Sequence, residues 1–466
     1  MRPALSALLS LALVGCTVGP DYAPPKATIS DTWLEPAAPG SLDPRWWASF
    51  GDAQLVALVE RALASSPDLR EAEARLAEAR AGRDAARGGA LPQAEAKGSA
   101  THTVLSENGQ LPIGNLPGFA RSFPLYDLGF DANWEIDFWG RNRRQVEVAD
   151  ARVDAAQWGQ RDVMVMLLAE LARNYVELRR AQADLAAADE RLAALTELAR
   201  LTRLRFAAGE ADRIAAEDAE GQRAAASAAK ARIEAEAASA AYAIAVLVGE
   251  APEALVPGLR QPAPIPAPPE TIANGVRSEL LERRPDVRRA ERELAAATAD
   301  IGVATADLFP RFSLIGSVGQ QARSVSDLAS GDSTRLAIGP GFSWPVFSGG
   351  RIRAQIRGAD ARAQGAAARY DKAVVTALSD SESAANRFAQ ASLAARDAAD
   401  AAARADRAYA LAEMRTTRGE ADRLTLMNAR ITRVQARQQL ADANGARATA
   451  AIALFKALGG GWQQTP

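Results

Sequence analysis

The longest helical pattern in this chain runs from Arg141 to Phe206 without a single proline. The stretch is dominated by Ala, Leu, Arg and Glu, which have high helix propensities, and Gly159 is its only glycine. At 1.5 Å per residue a helix of this extent is roughly 100 Å long, so the sequence excludes an ordinary globular domain. Apolar side chains recur along it with the seven-residue period of a left-handed coiled coil: Met164, Leu171, Leu178, Leu185 and Leu192.

The sequence is also internally duplicated. SSPDLREAEARLAEARAG at 65–82 resembles RRPDVRRAERELAAATAD at 283–300, and ALPQAEAKGS at 90–99 resembles LFPRFSLIGS at 308–317, both displaced by 218 residues. WEIDFWGR at 134–141 resembles WPVFSGGR at 344–351, and AAGEADRIAAEDAE at 207–220 resembles TRGEADRLTLMNAR at 417–430, both displaced by 210 residues. The first copy therefore holds eight extra residues within 101–127, because loops accept insertions and continuous helices do not.

Each copy is predicted to run helix, strand, strand, long helix, tip, long helix, which gives a mainly α protein with a small β part. An N-terminal segment at 16–60 precedes the first repeat, and a Pro-rich linker, QPAPIPAPPE, separates the two copies. The first repeat is predicted at 61–260, with strands near 92–102 and 127–138 and a helical hairpin at 141–249. The second repeat is predicted at 271–459, with strands near 310–320 and 335–347 and a hairpin at 351–458. The linker lies between them at 261–270, and a tail follows at 460–466.

The inventory of charges and reactive side chains limits the chemistry. The chain has 55 basic and 57 acidic side chains and a pI near 5.9, which argues against a nucleic-acid partner, since such partners usually accompany a strongly basic domain. One His and one Cys nearly exclude His-based catalysis, His/Cys metal sites and disulfides. The sequence carries no nucleophile–base set or phosphate-binding loop. We therefore expect no enzyme, no cofactor and no metal, and we expect His102 to decorate a strand or loop.

The first residues have the pattern of a secretory signal. A basic residue, Arg2, precedes an apolar run from Ala4 to Val14 that is too short to span a membrane. The tetrad Leu13-Val14-Gly15-Cys16 is similar to a bacterial lipobox, so residues 1–15 are predicted to be removed and Cys16 to be lipidated. Several acyl chains on one residue anchor a protein firmly, at about 0.8 kcal/mol per buried CH₂. By the same resemblance to bacterial lipoproteins, Thr17 after the cysteine favours sorting to the outer membrane.

Two stretches alternate strictly between apolar and polar residues. In LGFDANWEIDF at 128–138, Phe130, Trp134 and Phe138 share one parity and three carboxylates occupy the other. LAIGPGFSWPVF at 336–347 repeats the apolar parity with Phe342 and Trp344, but without the acids. Such stretches are typical either of half-buried strands in a soluble sandwich or of transmembrane strands of about 9 to 11 residues. The signal and the lipobox favour the transmembrane interpretation, with these aromatic side chains facing lipid.

A single chain with four such strands cannot be complete in a membrane. Four strands do not close a barrel, and an open sheet edge in hydrocarbon leaves backbone groups unpaired, at several kcal/mol each. The sequence therefore predicts an oligomer.

Several motifs resemble those of the outer membrane factor family, the TolC and OprM type of channel-tunnel, and specifically its lipidated efflux branch. The resemblance covers essentially the whole chain from Cys16 onward and is carried by RWWASFGDAQL (45–55), WEIDFWGR (134–141), LLERRPDVRRAE (280–291), ADLFPRFSL (306–314) and KALGGGW (456–462). It implies a homotrimer in which twelve strands form a barrel in outer-membrane lipid and long helices form a periplasmic α-barrel. It also implies two partners, a periplasmic adaptor and an inner-membrane pump of the resistance-nodulation-division (RND) class.

The resemblance assigns residues at the helical tips. The repeated G-E-A-D-R motif is similar to the family's adaptor-docking tips, through Gly209, Glu210 and Asp212 in the first copy and Gly419, Glu420 and Asp422 in the second. The positions of the family's periplasmic gate are occupied by Leu424 and Asn428. Asn428 replaces the usual acid, which Asp218 of the first copy could supply. Leu424 could instead simply pack, because it shares a/d spacing with Met427, Ile431 and Val434.

Two alternative functions remain open at this point. The same fold could serve as the exit duct of a type I protein secretion system, although the lipobox and the KALGGGW ending favour efflux. A lipid-anchored coiled-coil scaffold without a pore is the other alternative. In LLERRPDVRRAE, Arg283 and Arg284 are predicted to be structural rather than substrate-binding.

Overall fold

The computed structural model describes residues 17–25, 29–30, 32–35, 38, 40–106 and 120–463. These residues form two compact units. The strand unit comprises the described residues of 17–25, 77–155 and 291–369, and the hairpin unit comprises those of 26–76, 156–290 and 370–463. Cys16, the predicted lipidation site, lies outside the described residues.

Helices account for most of the described chain, and the prediction of a mainly α protein with a small β part is confirmed. The two longest helices have 67 residues each, and each is followed by a partner of about half that length. None of the helices in the described ranges combines the length and apolar character that crossing a membrane requires. The helices are α1 (Ala53–Ser65), α2 (Pro67–Gly89), α3 (Arg141–Ala207), α4 (Arg213–Val248), α5 (Pro252–Leu259), α6 (Leu280–Arg283), α7 (Pro285–Ala306), α8 (Arg351–Thr417) and α9 (Arg423–Ala457).

The strand unit contains one antiparallel sheet of four strands in the order β1-β2-β3-β4. The strands are β1 (Gln93–Val104), β2 (Ser122–Ile136), β3 (Arg311–Ala322) and β4 (Thr334–Ser343). The bounds of β1 and β3 differ by the same 218 residues as the sequence repeats that contain them. The later repeats differ by 210, so the eight extra residues of the first copy fall between β1 and β2.

Two predicted strands end earlier than the alternating pattern does. β2 stops at Ile136, so Phe138 is not a strand residue, because the Asp137 carboxylate turns to accept the backbone N–H of Arg143 at 3.0 Å and caps the start of α3. β4 stops at Ser343, so Trp344 also lies beyond its strand; the next residue, Pro345, has no N–H to continue a ladder. The prediction that Phe138 and Trp344 lie on strands is therefore wrong.

The segment after residue 16 is packed tightly into the strand unit. A Cβ on Gly302 would lie 2.8 Å from the side chain of Arg144, and one on Gly19 would lie 2.4 Å from the Cα of Gly302. Arg144, whose side chain is almost fully buried, donates to the carboxylate of Asp21 at 2.6 Å and to that of Glu147 at 2.7 Å. Gly19 is thus required by the close approach of this segment to α7, and Gly302 by the close approach of α7 to Arg144 of α3.

Aromatic residues from the two ends of the chain meet in the core of the hairpin unit. Trp46 stacks on Phe455 of α9 with ring centroids 5.1 Å apart, and Phe50 packs edge-on against Trp46. Trp462, in the predicted tail, donates its indole N–H to the carbonyl of Arg283 at 2.8 Å. These contacts fix the C-terminal end of α9 against residues that precede α1.

Candidate functional site

One face of the four-stranded sheet is mostly apolar, with polar side chains such as Gln320 and Thr334 only toward one end. Residues directly opposite each other on neighbouring strands share a face, and the register pairs Phe130 with Val318, Trp134 with Leu314 and Phe312 with Phe342. Phe130 is 63% exposed and Phe342 is 71% exposed. An exposed apolar surface of this extent is typical of a membrane or protein contact. The same face also includes Leu128, Ile136, Leu336 and Ile338.

The opposite face of the sheet carries paired charges. Asp127 on β2 accepts from Arg335 on β4 at 2.7 Å and from the side chain of Gln321 on β3, also at 2.7 Å. Lys97 on β1 lies 3.1 Å from the Asp131 carboxylate. One ion pair joins the neighbouring strands β1 and β2, and the other reaches from β2 over β3 to β4. The sheet therefore has one mostly apolar face and one charged face that water can solvate.

In each copy a tryptophan makes an equivalent hydrogen bond to a backbone carbonyl near the sheet. Trp134 donates its indole N–H to the carbonyl of Ala90 at 3.1 Å, and Trp344 donates to the carbonyl of Leu308 at 3.0 Å. The two tryptophans are 210 residues apart and the two carbonyls 218 apart, so the bond is repeated in both copies. Sequence reasoning treated both side chains only as lipid-facing. The repeated tryptophan was the available signal that each also has a specific polar partner.

The lone histidine is a strand residue of the sheet. His102 lies on β1, where its Nε2 is 2.8 Å from the hydroxyl of Ser122 on β2. No cluster of three or more potential metal ligands occurs in the part of the chain that the structure describes.

The two tips of the helical hairpins have the same backbone geometry. Gly209 follows α3 with φ of +78° and Gly419 follows α8 with φ of +74°, a left-handed conformation that favours glycine. The N–H of Glu210 donates to the carbonyl of Arg205 at 2.8 Å, and that of Glu420 donates to Arg415 at 2.9 Å. A Cβ on either glycine would meet nothing within 4 Å, so these glycines serve the turn and not a close contact.

The tip aspartates begin the returning helices. Asp212 accepts the N–H of Ala215 at 2.8 Å, and Asp422 accepts both the N–H and the hydroxyl of Thr425, at 2.7 and 2.6 Å. The hydrogen bonds from Thr425 hold the pKa of the Asp422 carboxyl below its usual value. Asp212 and Asp422 therefore act as helix caps, while Glu210 and Glu420 remain exposed at the outermost turn.

The predicted gate residues occupy different environments within one chain. Leu424 is half-buried on the same side of α9 as Met427 and Val434, which are buried. Asn428 and Asp218 occupy equivalent positions of the two copies, and both are exposed. A role for these residues in a gate stays a prediction.

One arginine of the LLERRPDVRRAE motif, Arg284, holds the end of α9. Arg284, which is 8% exposed, donates to Asp286 at 2.7 Å and to the backbone carbonyl of Ala457 at 3.1 Å, and also approaches Asp380 at 3.4 Å. Arg283 donates weakly to the carbonyl of Asn274 at 3.3 Å. Both side chains are engaged within the chain, as a structural role requires.

Known proteins resemble this chain over almost its whole length. A family model described as outer membrane efflux protein matches residues 58–250 and 276–460. Outer membrane protein OprJ of Pseudomonas aeruginosa is 32% identical over 467 residues, covering 98% of this chain and 95% of OprJ. Cation efflux system protein CusC of Escherichia coli is 28% identical, with 98% of each chain covered. The solved structure of the outer-membrane channel OprN matches with a TM-score of 0.84 at 36% identity, covering 96% of this chain and 100% of that one.

A four-stranded sheet with one apolar face, together with two long helical hairpins, defines an outer-membrane efflux channel. The chain belongs to the outer membrane efflux protein family. The resemblance to this family drawn from the sequence motifs is thereby confirmed, and so are the outer-membrane location and the assignment to a class of channels rather than enzymes. Lipidation stays a prediction.

Proposed function

We propose that the protein is the passive exit duct of a tripartite efflux system, which receives drugs or other small molecules from an inner-membrane RND pump through a periplasmic adaptor. The observation that carries this proposal is the sheet with one apolar and one charged face. Within the described chain β1 and β4 are its edge strands. In hydrocarbon these edges must pair, and three copies would supply twelve strands for a closed barrel whose charged face lines water.

The proposal gives the other predicted residues specific roles. Cys16 carries acyl chains that anchor the trimer to outer-membrane lipid. The tips around Gly209 and Gly419 dock the adaptor, for which Glu210 and Glu420 offer exposed charge. Leu424 of three chains forms an apolar ring at the periplasmic end, and Asp218 or Asn428 lies beside it.

The gate is tested by replacing Leu424 with serine and recording single channels in planar bilayers. We expect the wild-type trimer to stay mostly closed and Leu424→Ser to raise the open probability several-fold, because the substitution removes apolar contacts that hold three chains together. The matched control is Ile214→Ser, since Ile214 occupies the equivalent position of the first copy and is 70% exposed. We expect this control to gate like the wild type.

Two results would contradict this account. Absence of any conductance from correctly assembled protein would reject the duct. If Leu424 only packs, Leu424→Ser would lower the thermal stability by about 1–3 kcal/mol without changing the open probability.

A further inference from the structure

Four carboxylates surround a single arginine in the hairpin unit. Arg180 on α3 contacts Glu177 and Asp184 of its own helix, each at 2.5 Å. It also reaches Asp442 on α9 at 3.0 Å and Glu236 on α4 at 3.8 Å. One guanidinium thus connects three helices, and the cluster contains more negative than positive charge.

The position of Arg180 is built into the packing of α3 against α9. A Cβ on Gly445 of α9 would lie 2.9 Å from Cδ and 3.1 Å from Cγ of Arg180, so only glycine leaves room for this side chain. The duplication does not repeat the cluster. The positions equivalent to Arg180, Asp184 and Asp442 are occupied by Gln390, Ala394 and Arg232.

Asp184 is the carboxylate of the cluster that is buried from solvent. Its side chain is 4% exposed, whereas those of Glu177, Glu236 and Asp442 are at least 40% exposed. Its Oδ2 accepts from Arg180, but its Oδ1 is buried without a hydrogen-bond partner among the described residues. An unpartnered buried carboxylate oxygen is costly, and a proton on it removes part of that cost.

Burial and the neighbouring carboxylates act on the pKa of Asp184 in the same direction, against Arg180. Burial raises the pKa of the Asp184 carboxyl, the negative charge of Asp442 raises it further, and Arg180 opposes both, which leaves the pKa at about 6. Other charged groups lie one shell further out. They are Arg232, which lies 3.7 Å from Glu236, Arg173, which lowers the pKa of Glu177, and Arg387 of α8, which lines the cleft shared by Arg180 and Asp442.

We propose that Asp184 is a proton-binding site that sets the strength of the contact between α3 and α9 in the efflux duct. When Asp184 takes up a proton in mildly acidic surroundings, one of the four carboxylates loses its charge. Repulsion between Asp184 and Asp442 then disappears, while Arg180 keeps its bonds to Glu177 and Asp442. Acid therefore holds the two helices together more firmly.

The sign of the effect follows from linkage. An unfolded aspartate titrates near pH 4, whereas Asp184 in the folded chain keeps its proton up to about pH 6. Between these values the folded state binds more protons than the unfolded state. The contribution of Asp184 is therefore fully present below the lower value and is lost as the pH rises through the higher one.

Infrared titration of the full-length trimer in detergent would detect the proton on Asp184 directly. We expect a protonated carboxyl band that disappears with a midpoint near pH 6 in the wild type. The component of the band with this midpoint should be absent in Asp184→Asn, and it should be retained in Asp189→Asn, a control on α3 whose carboxylate is 55% exposed and pairs with Lys230 at 2.6 Å. Asp442→Asn, at an exposed position, should move the midpoint to lower pH, because it removes the like charge that raises the pKa of Asp184 most.

The strength of the helix contact is measured as the change in thermal midpoint between about pH 8 and about pH 5. Acidification should raise the midpoint of the wild type and of Asp189→Asn by similar amounts, and should raise that of Asp184→Asn by clearly less. The proposal would be overturned if the carboxyl component that titrates near pH 6 survived Asp184→Asn, or if Asp442→Asn did not move its titration midpoint. The role of Asp184 in the duct rests on the proposed function, but its protonation does not. A protein whose Asp184 titrates as expected, but which conducts nothing, would therefore reject only the duct.

Discussion

Replacing Phe130 with arginine should remove most of the protein from the outer membrane. Phe130 lies near the middle of the apolar face of β2, opposite Ala96 on β1 and Val318 on β3. A charged side chain on the lipid face of a transmembrane strand costs about 2–4 kcal/mol near the bilayer centre. In a trimer the cost applies three times, so we expect a large loss of assembled, membrane-embedded protein.

The matched control for this prediction is Asn133→Arg. Asn133 lies three residues further along β2 on the opposite face, is exposed and pairs with Gln93 and Ile315. A cation there would face water beside Glu135, so we expect near wild-type assembly. The measurement is the amount of trimer in purified outer membranes for the two variants. Equal losses would show that the apolar face does not meet lipid.

Replacing Arg284 with methionine should destabilise the hairpin unit by about 3–5 kcal/mol, the usual cost of removing one partner from a buried ion pair. The variant leaves Asp286 without its cation and the carbonyl of Ala457 without its donor, at the end of α9. The neighbouring Arg283→Met is the control, because its contacts with Asn274 and Val276 are long, at 3.3 and 3.5 Å. We expect the control to cost about 1 kcal/mol.

Hydrogen exchange of α9 amides near Ala457 measures this effect, and its pH dependence tests the cause. Burial alone would raise the pKa of Asp286, but Arg284 outweighs burial and holds the pKa below its usual value. This stabilisation is present above the pKa of an unfolded aspartate and is lost as the pH falls below it. Without Arg284 the buried carboxyl of Asp286 should take up a proton more easily, so the loss of stability caused by Arg284→Met should become smaller toward pH 4. A deficit that is independent of pH would contradict the ion-pair account.

The sequence was sufficient to predict the long helices and the parity of the strands. A proline-free, Ala-rich stretch with a seven-residue apolar period has few alternatives, and α3 ends within one residue of the predicted position. The two faces of β2 and β4 follow from alternation alone, because strand geometry places successive side chains on opposite sides.

The strand ends could not be read from the same pattern. Phe138 keeps the apolar parity, but it lies beyond β2 and packs edge-on against Phe312 with ring centroids 5.2 Å apart. The polar residue before it, Asp137, caps the start of α3. Alternation does not distinguish a strand residue from one that serves the following turn.

Contacts between distant parts of the chain were also beyond sequence reasoning. Arg180 and Asp442 are 262 positions apart and lie in different copies, where the duplication gives no matching pair. The G-E-A-D-R tips were recognised from their repetition, whereas the capping role of Asp212 and Asp422 required the hydrogen bonds of the folded chain. Local periodicity therefore predicted the elements, and the charged contacts between elements needed coordinates.

The central claim is that one chain is an incomplete part of a closed membrane channel, because its amphipathic sheet has two edges that must pair with other copies. Native mass spectrometry of the protein extracted from outer membranes in mild detergent tests this claim directly. The account predicts a single species of three chains that requires detergent to remain soluble. A monomer that stays folded and soluble without detergent would contradict it.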